Sequence, residues 1–281
     1  MRRWIQASAI ALPLLMAGQV GWAVPVEIEE VTLFGGGSTQ WDAEEDASGC
    51  ESDTGYSPVN DGEITSQTAS LEDAYDGGLL LVVGSETFAD PDDVGDVSVK
   101  NNSLTVGPAT LEGLRVTRKD RALSTSPTLR SLIKLRNPGA AATLDIVWDS
   151  NLGSDGGEDV RASSSGDTTY EPSDRWVVSS DDPMEPDDPV LTHVLFGKSN
   201  PREKTVEIVN APDGSGCFTV RLDSVRVPAE STRYLLFFTE MNRTNGGAEN
   251  KAAKFNDRNL NDKLLKAMRT KVRNRVLNWD L

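Results

Sequence analysis

Between Val26 and about Thr239 the chain sets short apolar runs between Gly, Pro, Asn, Asp and Ser, and few windows carry a helical period. That punctuation predicts many short strands. The clearest runs are Val26 to Phe34, Leu79 to Val83, Gly113 to Arg118, Leu129 to Arg136, Thr143 to Trp148, Arg175 to Val178, Val190 to Phe196, Lys204 to Val209, Cys217 to Val227 and Tyr234 to Phe238. Within Cys217 to Val227, Phe218, Val220 and Leu222 alternate with Thr219, Arg221 and Asp223, the period-two pattern of a strand with one buried and one wet face. The continuous runs Leu79 to Val83 and Leu235 to Phe238 predict inner strands covered on both sides. Leu129 to Trp148 reads as a hairpin whose turn is Asn137-Pro138-Gly139, where Pro presets one backbone angle and Gly accepts positive φ. The expected fold class is therefore all-β, a large two-layer antiparallel sandwich or a still larger supersandwich, with a C-terminal amphipathic helix.

Two segments break the strand pattern. Residues 42–76 hold acids, Ser, Gly and Thr with scattered apolar positions, which suits a long solvated loop or insert, or equally a set of short strands ordered by a bound cation. From Ala248 onward Leu260, Leu264, Met268, Val272 and Val276 recur every four residues with Leu265 alongside, predicting an amphipathic helix. Asn259 or Asn261 would cap its start and Asn278 mark its end. The expected organisation is 1–23 leader, 24–247 sandwich and 248–281 basic helical segment. The preferred reading packs the helix on the sandwich; the alternative lays it on an anionic membrane or a partner.

Charge sharpens that division. The chain holds 44 acidic and 28 basic residues, and residues 248–281 hold nine of the bases against four acids. The body is thus strongly negative and the tail positive, and a net charge of this sign argues against a nucleic-acid partner. Met1 to Ala23 has the anatomy of a secretory leader: Arg2 and Arg3, an apolar run from Ala7 to Ala17, and small residues at Gly21 and Ala23. With the leader removed, no later run is long and apolar enough to span a membrane, so the expected location is secreted or periplasmic. An oxidising compartment would allow Cys50 and Cys217, the only cysteines, to pair.

Candidate chemistry is sparse. His193 is the only histidine, which excludes a two-histidine metalloprotease motif and any multi-histidine zinc site. Its strand-like setting makes a core role the default, although pairing with a Cys217 nucleophile is conceivable. No G-x-S-x-G elbow and no phosphate loop is present; Gly35-Gly36-Gly37 more naturally marks a bend. Ca2+ is the best candidate ligand, because clustered Asp, Asn and backbone carbonyls supply hard oxygen donors. The best cluster is Asp149, Asn151, Asp155, Glu158 and Asp159; the others are Asp90, Asp92, Asp93 and Asp96, and Asp181, Asp182, Glu185, Asp187 and Asp188. The competing reading is that these acids solvate loops. Trp41, Tyr75, Trp148, Tyr170 and Trp176 could stack on sugars if exposed in a concave face, and would be core otherwise.

The stretches "LRNPGAAATLDIVW", "NLGSDGGEDV", "SSGDTT", "DRWVVSSDD" and "DPVLTHVLFG", together with "DAYDGGLLLVVG" from Asp73 to Gly84, resemble an uncharacterised group of exported bacterial Ig-like β-sandwich proteins. The resemblance implies export and a sandwich, and it carries no catalytic residue. Two functional readings follow: a non-catalytic exported sandwich that binds a glycan or protein ligand at the envelope, stabilised by Ca2+, or a carbohydrate-active hydrolase or lyase that uses two loop carboxylates.

Overall fold

The computed structural model of the 281-residue chain describes residues 31–47, 55–66, 70–75, 77–88, 98–100, 102–153, 158–181, 188–197, 206–210, 217–256 and 260–281. The leader, Cys50 and the acids of 90–96 lie outside them. The strands are β1 (Val31–Phe34), β2 (Thr39–Ala47), β3 (Gly55–Ile64), β4 (Leu80–Val83), β5 (Glu86–Thr87), β6 (Ser98–Val99), β7 (Ser103–Leu111) and β8 (Leu114–Ala122). They continue as β9 (Thr128–Arg136), β10 (Ala142–Asn151), β11 (Glu158–Ser163), β12 (Trp176–Asp181), β13 (Val190–Val194), β14 (Val206–Asn210), β15 (Cys217–Val227) and β16 (Thr232–Asn242). An eight-stranded sheet runs β11-β12-β13-β16-β9-β8-β7-β6, a five-stranded sheet β14-β15-β10-β4-β5, and a three-stranded sheet β1-β2-β3. All named strand pairings are antiparallel. The protein is an all-β sandwich.

One apolar core joins the three sheets. Trp41 and Tyr56 enter it from β2 and β3, Trp148 and Val220 from β10 and β15, and Ile133, Leu191 and Phe237 from the eight-stranded sheet. The rings of Trp148 and Phe237 stack 4.2 Å apart and join the two larger sheets. β15 keeps the alternation legible in its sequence, with Phe218, Val220 and Leu222 buried. Gly36 lets β1 bend into β2, because a Cβ there would stand 2.4 Å from the Ser126 nitrogen.

Three expectations need correction. Residues 129–148 do not form a hairpin: β9 belongs to the eight-stranded sheet and β10 to the five-stranded one, so Asn137-Pro138-Gly139 carries the chain across the core. The link between β15 and β16 makes the same crossing beside it. Asn137 N donates to Ser231 O at 2.9 Å, Asn137 Nδ2 to Val227 O at 3.1 Å, and Glu230 N to Gly139 O at 3.2 Å. Each crossing thereby supplies the other's missing backbone partners.

Second, the loop reading of 42–76 gives way to its strand alternative over 42–47, in β2, and 55–64, β3. Trp41 and Ala43 on β2, and Tyr56 and Val59 on β3, are buried, so apolar packing orders this sheet despite its acids.

Third, the stretch from Leu260 to Val276 is not one helix. A helix α1 (Asn245–Ala252), capped by Thr244 Oγ1 accepting from Gly247 N, runs into a 3-10 turn at Ala253–Asn256; turns follow, then a single helical turn α2 (Thr270–Arg273). The apolar residues of its stripe are nevertheless buried, apart from the half-buried Val272. Leu260, Leu264, Leu265, Met268 and Trp279 pack on Trp176, Val178, Val194, Leu236 and Phe238, the outer face of β12, β13 and β16. This second layer explains why Leu235 to Phe238 is apolar without alternation. One tail-to-sheet ion pair is present among the described residues, Lys254 with Glu240, so apolar burial rather than charge attraction carries the docking.

Candidate functional site

The neighbouring strands β12, β13 and β16 bring Ser179, His193 and Thr239 to the inner face of the eight-stranded sheet, as their registers require. Tyr75 and Phe218 close the group from across the core, both edge-on to the His193 ring. His193 Nδ1 lies 3.3 Å from Tyr75 Oη, and Nε2 lies 3.1 Å from Ser179 Oγ. Ser179 Oγ itself donates to Leu152 O at 2.5 Å, and Tyr75 Oη shares a 2.8 Å bond with Thr239 Oγ1. Burial drives the imidazole down to about 3, opposed by a hydrogen bond to the Leu152 backbone carbonyl, and it drives the Tyr75 hydroxyl well above its ordinary value. His193 is therefore neutral at physiological pH with both ring nitrogens occupied. It matches the core expectation, held by the buried hydroxyls of Tyr75 and Ser179.

A second interior cluster was not anticipated. Arg118 and Asp120 occupy alternate positions of β8 and both point inward, fully buried. Asp120 accepts from Arg118 Nε at 3.1 Å, Tyr56 Oη at 3.0 Å and Ser131 Oγ at 2.5 Å. Arg118 Nη1 donates to Leu79 O at 2.6 Å, and the guanidinium lies 4.7 Å from the Trp148 ring and 5.2 Å from the Tyr56 ring. Burial, the Asp120 charge and the hydrogen bond to it keep the Tyr56 hydroxyl protonated far above its usual range, with Arg118 opposing. The cluster pins all three sheets together through one ion pair.

The remaining described buried carboxylates also serve local structure. Asp174 caps the β11–β12 turn, accepting from Ser165 N and Glu171 N at 2.9 Å each. Glu240 binds Thr128 and Lys254. Asp149 accepts from Thr219 Oγ1 at 3.2 Å.

For the proposed calcium cluster, the structure sets Asp149 and Asn151 on one face of β10, two residues apart and 0% and 8% exposed. Asn151 Oδ1 is buried and has no hydrogen-bond partner among the described residues. Glu158 and Asp159 open β11 in the other sheet, with Asp159 exposed, and Asp155 lies outside the described residues. No group of three His, Cys, Asp or Glu converges among the described residues. Of the third acidic cluster, Asp182, Glu185 and Asp187 lie outside the described residues. Cys217 is the register partner of Asn151.

The aromatic residues weighed as sugar platforms are interior: Trp41, Tyr75, Trp148, Tyr170 and Trp176 are all buried. Phe34 is the one large apolar side chain exposed among the described residues. No helix among them is long and apolar enough to cross a membrane.

No protein-family model and no curated protein matches the chain. Among solved structures it is similar to a polysaccharide lyase, with 11% identity and a TM-score of 0.44, over 69% of this chain and 32% of that one. The chain thus spans about a third of that enzyme's length, and a likeness of this degree carries no functional argument.

Proposed function

We propose that the protein is a non-catalytic β-sandwich exported from the cytoplasm, with a binding, adhesion or envelope-surface role toward a glycan or protein, and with Ca2+ stabilising the turn from β10 into β11. The observation that carries the non-catalytic reading is the state of His193, neutral, buried and bonded through both nitrogens. Export is supported by the leader anatomy of residues 1–23. Calcium is supported by the orphaned Asn151 Oδ1 beside Asp149, since a buried carbonyl oxygen without a partner is costly and is the donor type this cation takes. In this reading Cys50 and Cys217 form a disulfide, tying the chain between β2 and β3 to β15.

The test is a glycan array read twice, once for retained protein and once for new reducing or unsaturated sugar ends at each retained glycan. Retention without new ends is the expected result. New ends would establish the rival reading, a hydrolase or lyase working through two loop carboxylates.

A further inference from the structure

Residues 113–136 carry seven Lys or Arg and one acid, Asp120, in a chain whose acids outnumber its bases by 16. Asp120 and Arg118 turn inward and neutralise each other. The others turn outward: β8 presents Arg115, Thr117, Lys119 and Arg121 at alternate positions, all exposed or half-buried. On β9, Arg130, Leu132, Lys134 and Arg136 lie directly opposite, in the pairs Arg121 with Arg130, Lys119 with Leu132, Thr117 with Lys134 and Arg115 with Arg136. Two of these four cross-strand pairs are like-charged, an arrangement that opposes sheet stability. Among the described residues no carboxylate pairs with these cations. The ion pairs among the described residues are Arg118–Asp120, Arg221–Asp145, Lys254–Glu240 and Arg273–Asp262, none of which involves an outward cation of β8 or β9.

The crowding registers on the groups themselves. Partial burial, then Arg121, Arg130 and Lys100, hold the Lys119 ammonium below its ordinary range. Arg130 is the exception that marks the edge of the face, because the tail covers it and Leu264 O and Lys266 O accept from its Nη1 at 2.8 and 2.9 Å. Beyond that edge the tail adds exposed Lys266, Arg269 and Lys271 on the same side of the sheet.

We propose that the outward face of β8 and β9 binds a linear anionic polysaccharide bearing carboxylate or sulfate groups, through Arg115, Lys119, Arg121, Lys134 and Arg136. This rests on the binding reading above and names its ligand class. Outward residues recur about every 7 Å along a strand, and neighbouring strands lie about 4.8 Å apart, so the cations form short parallel rows that a polymer with one acid per sugar can follow. Thr117 lies between Arg115 and Lys119, and Thr105 on β7 stands opposite Lys119, half-buried hydroxyls suited to sugar hydroxyls. Among the described residues this face holds no exposed ring for bases to stack on, Tyr234 beside Lys134 being half-buried against the tail, which disfavours single-stranded nucleic acid. Leu132, half-buried, is the single apolar residue among the outward cations of β8 and β9, too little to anchor in a bilayer. A slender chain also stays within the positive strip, whereas a bulkier polyanion would meet the acidic remainder of the molecule.

Titration of the purified protein with polygalacturonate, dextran sulfate and neutral dextran is the test. Binding to at least one charged polymer and none to dextran is expected, weakening steeply as salt is raised. Combined Arg115→Gln, Lys119→Gln and Arg121→Gln should weaken binding about tenfold or more with an unchanged or raised melting temperature, since relieving repulsion cannot harm the sheet. Arg226→Gln, on β15 of the opposite sheet, should leave affinity unchanged. Binding that survives the triple substitution, or no binding to either charged polymer, overturns the proposal. Tighter binding to phosphatidylserine vesicles or to single-stranded DNA, lost in the same variant, also overturns it by assigning the face to another partner. Polymer cleavage instead overturns only the non-catalytic reading.

Discussion

The side chain of Asn278 pairs with the backbone of Leu236 as a strand residue would. Its Nδ2 donates to Leu236 O at 2.8 Å, and its Oδ1 accepts from Leu236 N at 2.9 Å. Nδ2 also reaches Leu195 O at 2.7 Å, just past the end of β13, where β13 and β16 part. Trp279 Nε1 adds a bond to Leu236 O at 2.7 Å, and alongside Tyr234 N donates to Arg275 O at 3.0 Å while Tyr234 O accepts from Leu277 N at 2.8 Å. The tail thus fills a fork in the sheet with a carboxamide.

Asn278→Ala should therefore cost on the order of 3 kcal/mol, because it orphans buried backbone groups at about 1–3 kcal/mol each. Urea unfolding measures it. An Asn278→Asp change should cost at least as much, since it replaces the donor with a charge in a buried site. A loss below about 0.5 kcal/mol for both would show that the tail is held by its apolar contacts alone.

Removing one partner of the Arg118–Asp120 pair should destabilise by about 3–5 kcal/mol, because the other is left charged and buried. Arg118→Met combined with Asp120→Leu should recover much of that loss. A double variant as unstable as the sum of the singles would mean that the two do not interact energetically.

His193 should make the protein acid-sensitive. Its folded value of about 3 lies below the unfolded value of 6.5, so between them the unfolded chain binds a proton that the folded one does not. Stability is then full above pH 6.5 and falls as pH drops toward 3, by about 1.4 kcal/mol per pH unit through the middle of that window. His193→Gln should flatten the slope by that amount, even though its stability at pH 8 is lower. Parallel pH profiles for the two proteins, followed by thermal melts, would exclude His193 as the titrating group.

Calcium added after chelator treatment should raise the melting temperature, and Asn151→Ala should reduce that rise. An equal rise in wild type and in a combined Asp149→Asn, Asn151→Ala variant would place any bound cation elsewhere.

Strand content was legible wherever one face of a strand meets core and the other water, as in β15. The crossing at Asn137 was not, because Asn-Pro-Gly serves a hairpin or an arch equally, and the choice is made by Val227 O and Ser231 O, ninety residues away in sequence. The tail misled by its period. Its apolar positions do become buried, but the carbonyls a helix would use are taken by arginines: Arg130 takes those of Leu264 and Lys266, and Arg273 those of Leu265 and Met268. Ala267 then turns at a positive φ of 65°. The cationic strip was present in the sequence as alternating bases from Arg115 to Arg121, and the chain-wide negative charge concealed it. The proposed calcium ligands could be read only as composition; the Asn151 oxygen without a partner among the described residues is a matter of packing.

The paired crossings at Asn137 and Ser231 have a mechanical consequence. Since each is laced to the other, the two large sheets are indexed to one common origin and cannot slip independently. One extra residue in either arch would have to be absorbed there or would turn a whole strand inside out, so length changes belong in other connections.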